Sequence, residues 1–79
     1  MRLNIRYFAL FREQAGCDAE DFEWSGGTAA ELFRLMSETH PDLKPEAAAL
    51  VAVNDEMTNW DTALKDNDRV LFFPPVAGG

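Results

Sequence analysis

The sequence predicts an α+β domain in which a mixed β-sheet carries one main helix on one face. Three observations lead to this fold class. Apolar residues alternate with polar ones near the N terminus, where Leu3, Ile5 and Tyr7 share one side of a strand. An apolar stripe with helical spacing follows at residues 29–36, and an apolar run occupies residues 70–73. With 79 residues, of which 47% are hydrophobic, the chain is expected to form a single core.

The first third of the chain is expected to form a hairpin around a short helical turn. Phe8 breaks the alternation of the first strand, and residues 12–16 are typical of a helical turn closed by its final glycine. Residues 21–24 then alternate Phe22 and Trp24 with acidic residues. This alternation predicts a second strand with one apolar side.

The main helix is predicted to begin at Thr28 and to end before Pro41. Thr28 and Glu31 match a capping box, in which two side chains satisfy free N–H groups of the first turn. Pro41 ends the helix because a residue that precedes proline disfavours the helical conformation. The apolar stripe, at positions i, i+3, i+4 and i+7, consists of Ala29, Leu32, Phe33 and Met36.

The second half of the chain predicts three more strands. Residues 50–53 form the third strand, residues 54–56 its turn, and residues 57–58 a short edge strand. Asn67 lies in the last turn, where it tolerates a left-handed conformation. Residues 70–73 are the most apolar segment, which favours a central position in the sheet.

A hairpin followed by a helix and further strands is the β-grasp, or ubiquitin-like, arrangement. We expect this domain over residues 1–73 and an extended functional tail over residues 74–79. Pro74 and Pro75 lack N–H donors and fix φ, so they end the sheet and favour a stiff exit. The small or flexible residues that follow can be threaded into a narrow channel of another protein. They are Val76, Ala77, Gly78 and Gly79.

The chemistry of such a tail lies at its terminal carboxylate. With a pKa near ~3.5, this group is ionised at neutral pH and is a poor electrophile. Activation is simplest as an acyl-adenylate, which another enzyme makes from ATP. A sulfur nucleophile that displaces AMP leaves a thiocarboxylate, a soft anion able to deliver sulfur. The sequence therefore predicts a carrier that binds no cofactor itself and is loaded at Gly79, beside Gly78.

Residues 66–79 resemble the C-terminal signature of the molybdopterin synthase small subunit family, most specifically in the ending Phe-Phe-Pro-Pro-Val-x-Gly-Gly. Residues 8–13 and 51–54 are similar to that family's first strand-to-helix segment and third strand. Asn67 departs from the family, which usually has glycine there. The resemblance implies a sulfur carrier in molybdenum cofactor biosynthesis. Gly79 would be adenylated by an E1-like enzyme that uses ATP, and a sulfur donor enzyme would supply the thiocarboxylate sulfur.

The resemblance also implies a partner for the loaded tail. The tail would insert into the synthase large subunit, where sulfur passes to a cyclic pyranopterin precursor, in a heterotetramer of two carriers and two large subunits. Catalysis would then lie in the large subunit and not in this chain. The alternatives are a sulfur carrier for thiamine thiazole synthesis or tRNA thiolation, a ubiquitin-like modifier joined to lysines through Gly79, and an acidic interaction module with an idle tail.

Strand alternation also predicts a surface for partners. If Val70 and Phe72 face the helix, Phe73 faces the open side of the sheet. Phe8 and Met57 are expected near it, and an exposed apolar patch beside a functional tail is a natural docking site. The alternative is that these are ordinary residues at the edge of the core. The tail residues expected to join the partner contacts are Pro74, Pro75, Val76 and Ala77.

Composition limits the remaining classes of function. Fourteen acidic residues against seven basic ones give a net charge of −7 without a basic stripe, which argues against nucleic acid or an anionic membrane as partner. The charge either steers the protein towards basic partners or keeps it soluble. No run reaches the ~18 apolar residues of a membrane span, and the chain starts without a signal-peptide pattern, so a cytoplasmic protein is expected.

No metal site or reactive thiol is expected from the sequence. Cys17 is the single cysteine, and Asp18 beside it should raise the pKa of the thiol. His40 stands alone at a helix end and is expected on the surface, without partners at metal-ligand spacing.

Overall fold

The computed structural model describes residues 1–75 and contains a five-stranded mixed sheet with two helices. The elements are β1 (Arg2–Tyr7), α1 (Leu10–Ala15), β2 (Ala19–Glu23), α2 (Ala29–Thr39), β3 (Leu50–Val53), β4 (Glu56–Thr58) and β5 (Arg69–Phe73). The strand order is β2-β1-β5-β3-β4. β1 and β5 are parallel, and the other neighbours are antiparallel. The predicted fold class and the central position of the last strand are both confirmed.

The core lies between α2 and one face of the sheet. Val70 and Phe72 of β5 are fully buried, and Ile5 of β1 pairs with Val70 and is also fully buried. Phe33 of α2 meets the ring of Phe72 edge-on, with ring centroids 4.9 Å apart. Burial of a side chain of this size contributes about 1.5–3 kcal/mol relative to its exposure. The contact between Phe33 and Phe72 therefore helps α2 to hold β5, the strand that leads to the tail.

α2 begins and ends where the sequence predicts. The N–H of Glu31 donates to Thr28 Oγ1 at 3.2 Å, and the N–H of Thr28 donates to Glu31 Oε1 at 2.9 Å, which completes the capping box. The helix ends at Thr39, with His40 as its cap before Pro41. Its buried stripe is the predicted set Ala29, Leu32, Phe33 and Met36. Within residues 1–75, neither helix has the length and apolar character needed to cross a membrane.

Two elements in the first third start earlier than predicted. α1 begins at Leu10 and not at Arg12, because Ala9 takes a positive φ of 52° and turns the chain into the helix directly after β1. β2 begins at Ala19, since this residue already pairs with Arg6 across the hairpin. The first difference depends on the backbone geometry of Ala9 and the second on strand pairing, and neither can be predicted from the alternation of side chains.

The turns at one end of the sheet are linked by side chains. The turn after β3 contains only Asn54 and Asp55, both with positive φ, as in a two-residue hairpin, so Glu56 belongs to β4. Asn67 has φ of 68°, which confirms its predicted left-handed conformation. The Nδ2 of Asn54 donates to Asp68 Oδ1 at 2.9 Å and joins the two turns.

Candidate functional site

The sheet face away from α2 is divided into a charged half and an apolar half. On the β1–β2 side, Arg2 forms an ion pair with Asp21 at 3.0 Å. On the β3–β5 side, side chains that alternate with the buried ones form an apolar surface, in which Leu50 is 51% and Met57 58% exposed. Exposed apolar groups gathered on one half of a face are typical of an interaction site. The strand residues of this half are Leu50, Met57, Leu71 and Phe73, which surround the buried Ala52.

Phe8 and Phe73 form the part of this surface that is closest to the tail. Their rings are stacked, with centroids 4.6 Å apart and planes at 15°. The N–H of Phe8 donates to the carbonyl oxygen of Phe72 at 3.3 Å, which extends the parallel pairing beyond the end of β1. Phe8 is therefore held on the open face, where the sequence placed it, and keeps 37% of its surface exposed.

A groove of about 690 Å³ lies along this apolar half and is called here the open-face groove. Its size lies within the range of about 300–1,000 Å³ that is usual for binding sites. The structure brings five predicted site residues together in its lining: Phe8, Met57, Phe73, Pro74 and Pro75. The lining residues that the sequence reasoning missed are Ala9, Leu10, Glu46 and Leu50.

The missed residues reach the open-face groove through features that are weak in the sequence. Leu50 starts β3 one position before the buried Val51, so alternation alone would have placed it on the open face. Leu10 is exposed and lines the groove because the positive φ of Ala9 changes the direction of the chain. No pattern in the sequence predicts this turn. Glu46 comes from the irregular segment between α2 and β3, whose position depends on the whole fold.

The chain leaves the sheet along the open-face groove. Pro74 and Pro75 follow β5, are half-buried and belong to the groove lining. Val76, Ala77, Gly78 and Gly79 lie outside the described residues, and their roles stay predictions from the sequence. Within residues 1–75, the lining carries one ionisable side chain, Glu46, whereas general acid–base catalysis needs positioned proton donors and acceptors. This surface is suited to apolar contact.

A polar cluster lies on the α2 side of the sheet, away from the open-face groove. The hydroxyl of Tyr7 donates to Glu20 Oε2 at 2.6 Å, and the same oxygen lies 2.6 Å from His40 Nε2. One ligand atom from each of Cys17, Glu20 and His40 lies within 4.8 Å of the others. The expectation that His40 lacks partners at ligand distance is therefore wrong, because the end of α2 meets β2 and the loop before it.

The environment of this cluster raises the pKa of two of its side chains, Cys17 and Tyr7. Burial, followed by the carboxylates of Glu20 and Asp18, raises the pKa of the Cys17 thiol, which confirms the predicted direction. Burial and the hydrogen bond to Glu20 raise the pKa of Tyr7 well above its ordinary value. A raised pKa lowers the thiolate fraction, so the free Cys17 side chain is not activated as a nucleophile.

Comparison with known proteins gives a family and close relatives. The sequence matches the ThiS family over residues 5–79. It is 36% identical, over 83 residues and 100% of both chains, to the molybdopterin synthase sulfur carrier subunit of Chlamydomonas reinhardtii. It is also 31% identical, over 100% of both chains, to small archaeal modifier protein 3 of Haloferax volcanii.

Solved structures agree with the fold. A Pyrococcus furiosus protein assigned as a molybdopterin converting factor, subunit 1, has a TM-score of 0.83 and 35% identity, and the match covers 96% of this chain and 99% of that one. A chain in the complex of subunits 1 and 2 of the molybdopterin-converting factor from Helicobacter pylori has a TM-score of 0.67 and 28% identity over 100% of both chains. The ubiquitin-like β-grasp prediction is confirmed.

Proposed function

This chain belongs to the ThiS family, and from that membership we propose that it is the sulfur-carrier subunit of a molybdopterin synthase, acting in molybdenum cofactor biosynthesis. The observation that carries the proposal is similarity over the full chain: the sequence is 36% identical to the sulfur carrier subunit of Chlamydomonas reinhardtii. This similarity includes the ending with Gly78 and Gly79, the part of the sequence that suits a loaded terminus.

The proposed chemistry takes place at the carboxylate of Gly79. An E1-like partner enzyme transfers AMP from ATP to this carboxylate and releases pyrophosphate. A sulfur donor enzyme then supplies the nucleophile that displaces AMP, so the terminus becomes a thiocarboxylate. In the synthase large subunit, the sulfur passes to the pterin precursor and water restores the carboxylate. Gly78 has no side chain to obstruct the channel that this route requires.

The open-face groove supports docking on both partners. Phe8, Met57 and Phe73 offer apolar and aromatic contacts next to the exit of the tail, and aromatic residues are enriched at the centres of protein interfaces. Pro74 and Pro75 stiffen the exit and so reduce the entropy lost on insertion. The net charge of −7 favours partners with basic surfaces. We place the catalytic site in the large subunit, within an assembly of two carriers and two large subunits.

Intact-mass analysis tests the loading step. The protein, with a free C terminus, is incubated with an adenylating enzyme, ATP and a sulfur source. The expected product is heavier by the difference between one sulfur and one oxygen atom. A variant with one alanine added after Gly79 is the matched control and should stay unmodified. Equal loading of the extended variant, or no loading of the original chain by any family adenylating enzyme, would overturn the proposal.

A second candidate is conjugation to other proteins. It is favoured by the 31% identity to small archaeal modifier protein 3 of Haloferax volcanii over both full chains. In that case Gly79 would form an amide with lysine side chains, and digestion of cell protein would release branched peptides that carry the C-terminal residues. Thiamine thiazole synthesis or tRNA thiolation would share the loading step. Transfer of sulfur from the loaded carrier to a pterin precursor in the presence of a large subunit separates the synthase role from all of these.

A further inference from the structure

A cysteine, a carboxylate and an imidazole converge at a place that the sulfur-carrier proposal does not use. Cys17 lies in the loop between α1 and β2, Glu20 in β2, and His40 at the end of α2. Their candidate ligand atoms all lie within 4.8 Å of one another. We propose that these three side chains bind a zinc ion, with water as the fourth ligand.

The distances are compatible with a tetrahedral site after small side-chain movements. Zinc bonds of about 2.3 Å to sulfur and about 2.0–2.2 Å to nitrogen and oxygen place neighbouring ligand atoms roughly 3.3–3.8 Å apart. The Glu20 Oε2 to His40 Nε2 distance of 2.6 Å must therefore lengthen, and any pair near the 4.8 Å limit must shorten. Cys17 is in a loop and His40 is at a helix end, so neither adjustment requires a strand to move.

The chemistry of the donor set favours zinc over magnesium and calcium. A thiolate, an imidazole and a carboxylate are all zinc ligands, and sites with three protein ligands keep a fourth position for water. Magnesium and calcium prefer all-oxygen sites, so the sulfur and nitrogen ligands disfavour them. Two anionic ligands, Cys17 as thiolate and Glu20, balance the charge of the dication.

Neighbouring groups are placed to hold the ligands. The hydroxyl of Tyr7 donates to Glu20 Oε2 at 2.6 Å and so holds this carboxylate oxygen beside His40. Hydrogen bonds of this kind orient metal ligands and increase affinity. The side chains of His40 and Glu20 are 20% and 26% exposed, so the cluster is partly desolvated and still open to an arriving ion.

Zinc titration of the untagged full chain tests the proposal. After treatment with a chelator and its removal, calorimetry should show saturable binding of one zinc ion per chain. Zinc should also raise the unfolding temperature, because a ligand that binds only the folded state stabilises it. Cobalt, used as a spectroscopic substitute, should give a thiolate-to-cobalt charge-transfer band.

Two variants test two of the three proposed ligands, and a third variant is the control. Cys17→Ser should abolish the charge-transfer band, and both Cys17→Ser and His40→Gln should weaken zinc binding by at least about tenfold. Asp18→Asn is the matched control, because it removes an acidic group next to Cys17 in sequence. The side chain of Asp18 is 82% exposed and pairs with Arg12 at 3.5 Å. The Asp18→Asn variant should retain saturable binding of one zinc ion and the charge-transfer band, because all three proposed ligands remain. Circular dichroism and thermal unfolding verify that each variant is folded.

A measurement on the unaltered chain keeps the proposal falsifiable if a variant fails to fold. Bound zinc should protect Cys17 from alkylation, whereas magnesium at the same concentration should not. The proposal is overturned by an absence of saturable zinc binding, by zinc binding that is unchanged in folded Cys17→Ser, or by alkylation that zinc does not slow. In each of these cases, Tyr7, Glu20 and His40 form a purely structural hydrogen-bond network. None of these readouts involves sulfur loading, so the proposed function stands or falls separately.

Discussion

The indole ring of Trp60 stacks on the ring of Phe72, with centroids 5.8 Å apart and planes at 11°. The indole Nε1 donates to the carbonyl oxygen of Ala49 at 3.1 Å, which fixes the ring in this position. Phe33 of α2 contacts the same Phe72 ring edge-on. The strand that leads to the tail is thus held by aromatic contacts on one face, while its last residue, Phe73, lies in the open-face groove on the other.

Phe72→Ala is expected to destabilise the protein strongly. Removal of a fully buried phenylalanine leaves a cavity between Phe33 and Trp60, and such changes cost about 3–5 kcal/mol. This is a large share of the 5–15 kcal/mol that typically stabilises a folded domain. Urea unfolding followed by tryptophan fluorescence measures the loss. Phe73→Ala, one residue further and only half-buried, is the control and should cost much less; equal losses at the two positions would contradict this packing.

Phe73→Asp is expected to prevent docking while leaving the fold intact. The ring of Phe73 stacks on Phe8 at the surface, so a charge there is tolerated by the core but opposes burial against a partner. Loss of a central aromatic contact of about 2 kcal/mol or more corresponds to at least about 25-fold weaker binding. Calorimetry with the adenylating enzyme and with the large subunit measures the change.

Ala19→Asp is the matched control for this prediction. It places the same charge on an exposed position of edge strand β2, on the charged half of the sheet. It should bind both partners like the original chain. Unchanged affinity of folded Phe73→Asp for both partners would remove the open-face groove from the proposed interface.

Local patterns in the sequence were sufficient for most of the fold. The reciprocal pair of Thr28 and Glu31, the alternation in β1 and the apolar run in β5 each express a constraint that acts within a few residues. The parity of strands also placed Phe8 and Phe73 on the open face before any pairing was known. The proposed role of Gly78 and Gly79 rests on the sequence motif and the chemistry of a carboxylate, and it stays a prediction.

The features that could not be predicted depend on contacts between distant segments. His40 meets Glu20 because the end of α2 lies against β2, and the two residues, 20 positions apart in sequence, give no sign of this contact. Leu10 reaches the open-face groove only because Ala9 turns with positive φ, an uncommon conformation for alanine. Each of these positions is fixed by the assembled sheet and not by local propensity.

Thr28→Ala is expected to destabilise the protein through loss of the cap of α2. The hydroxyl of Thr28 accepts the N–H of Glu31, and substitution of such a cap by alanine costs about 1 kcal/mol. For a domain of this size, the unfolding temperature should fall by roughly 4–8 °C. Thr28→Ser keeps the acceptor oxygen and should stay close to the original value. Equal losses in both variants would mean that the methyl group, and not the cap, matters at this position.

The other half of the capping box predicts a dependence of stability on pH. Hydrogen bonds from the N–H and hydroxyl of Thr28 lower the pKa of Glu31 below its ordinary value. A carboxyl group with a lowered pKa in the folded state stabilises the protein above its unfolded pKa, and this contribution disappears as the pH falls through the folded pKa. Glu31→Gln should therefore be less stable than the original chain at neutral pH and converge with it in acid. A stability difference that is constant from neutral pH to acid would contradict the lowered pKa.

Cys17 is expected to react slowly with alkylating reagents in metal-free buffer. Burial raises the pKa of its thiol, and the carboxylates of Glu20 and Asp18 add to the effect, so the reactive thiolate is scarce at neutral pH. The rate of reaction with iodoacetamide should rise with a midpoint pH above that of the same chain unfolded in urea. Glu20→Gln should lower the midpoint, because Glu20 contributes more than Asp18 to the raised pKa, and Asp18→Asn should lower it less. A midpoint below that of the unfolded chain would mean that the fold stabilises the thiolate, and Cys17 would then have to be considered as a sulfur-accepting group in its own right.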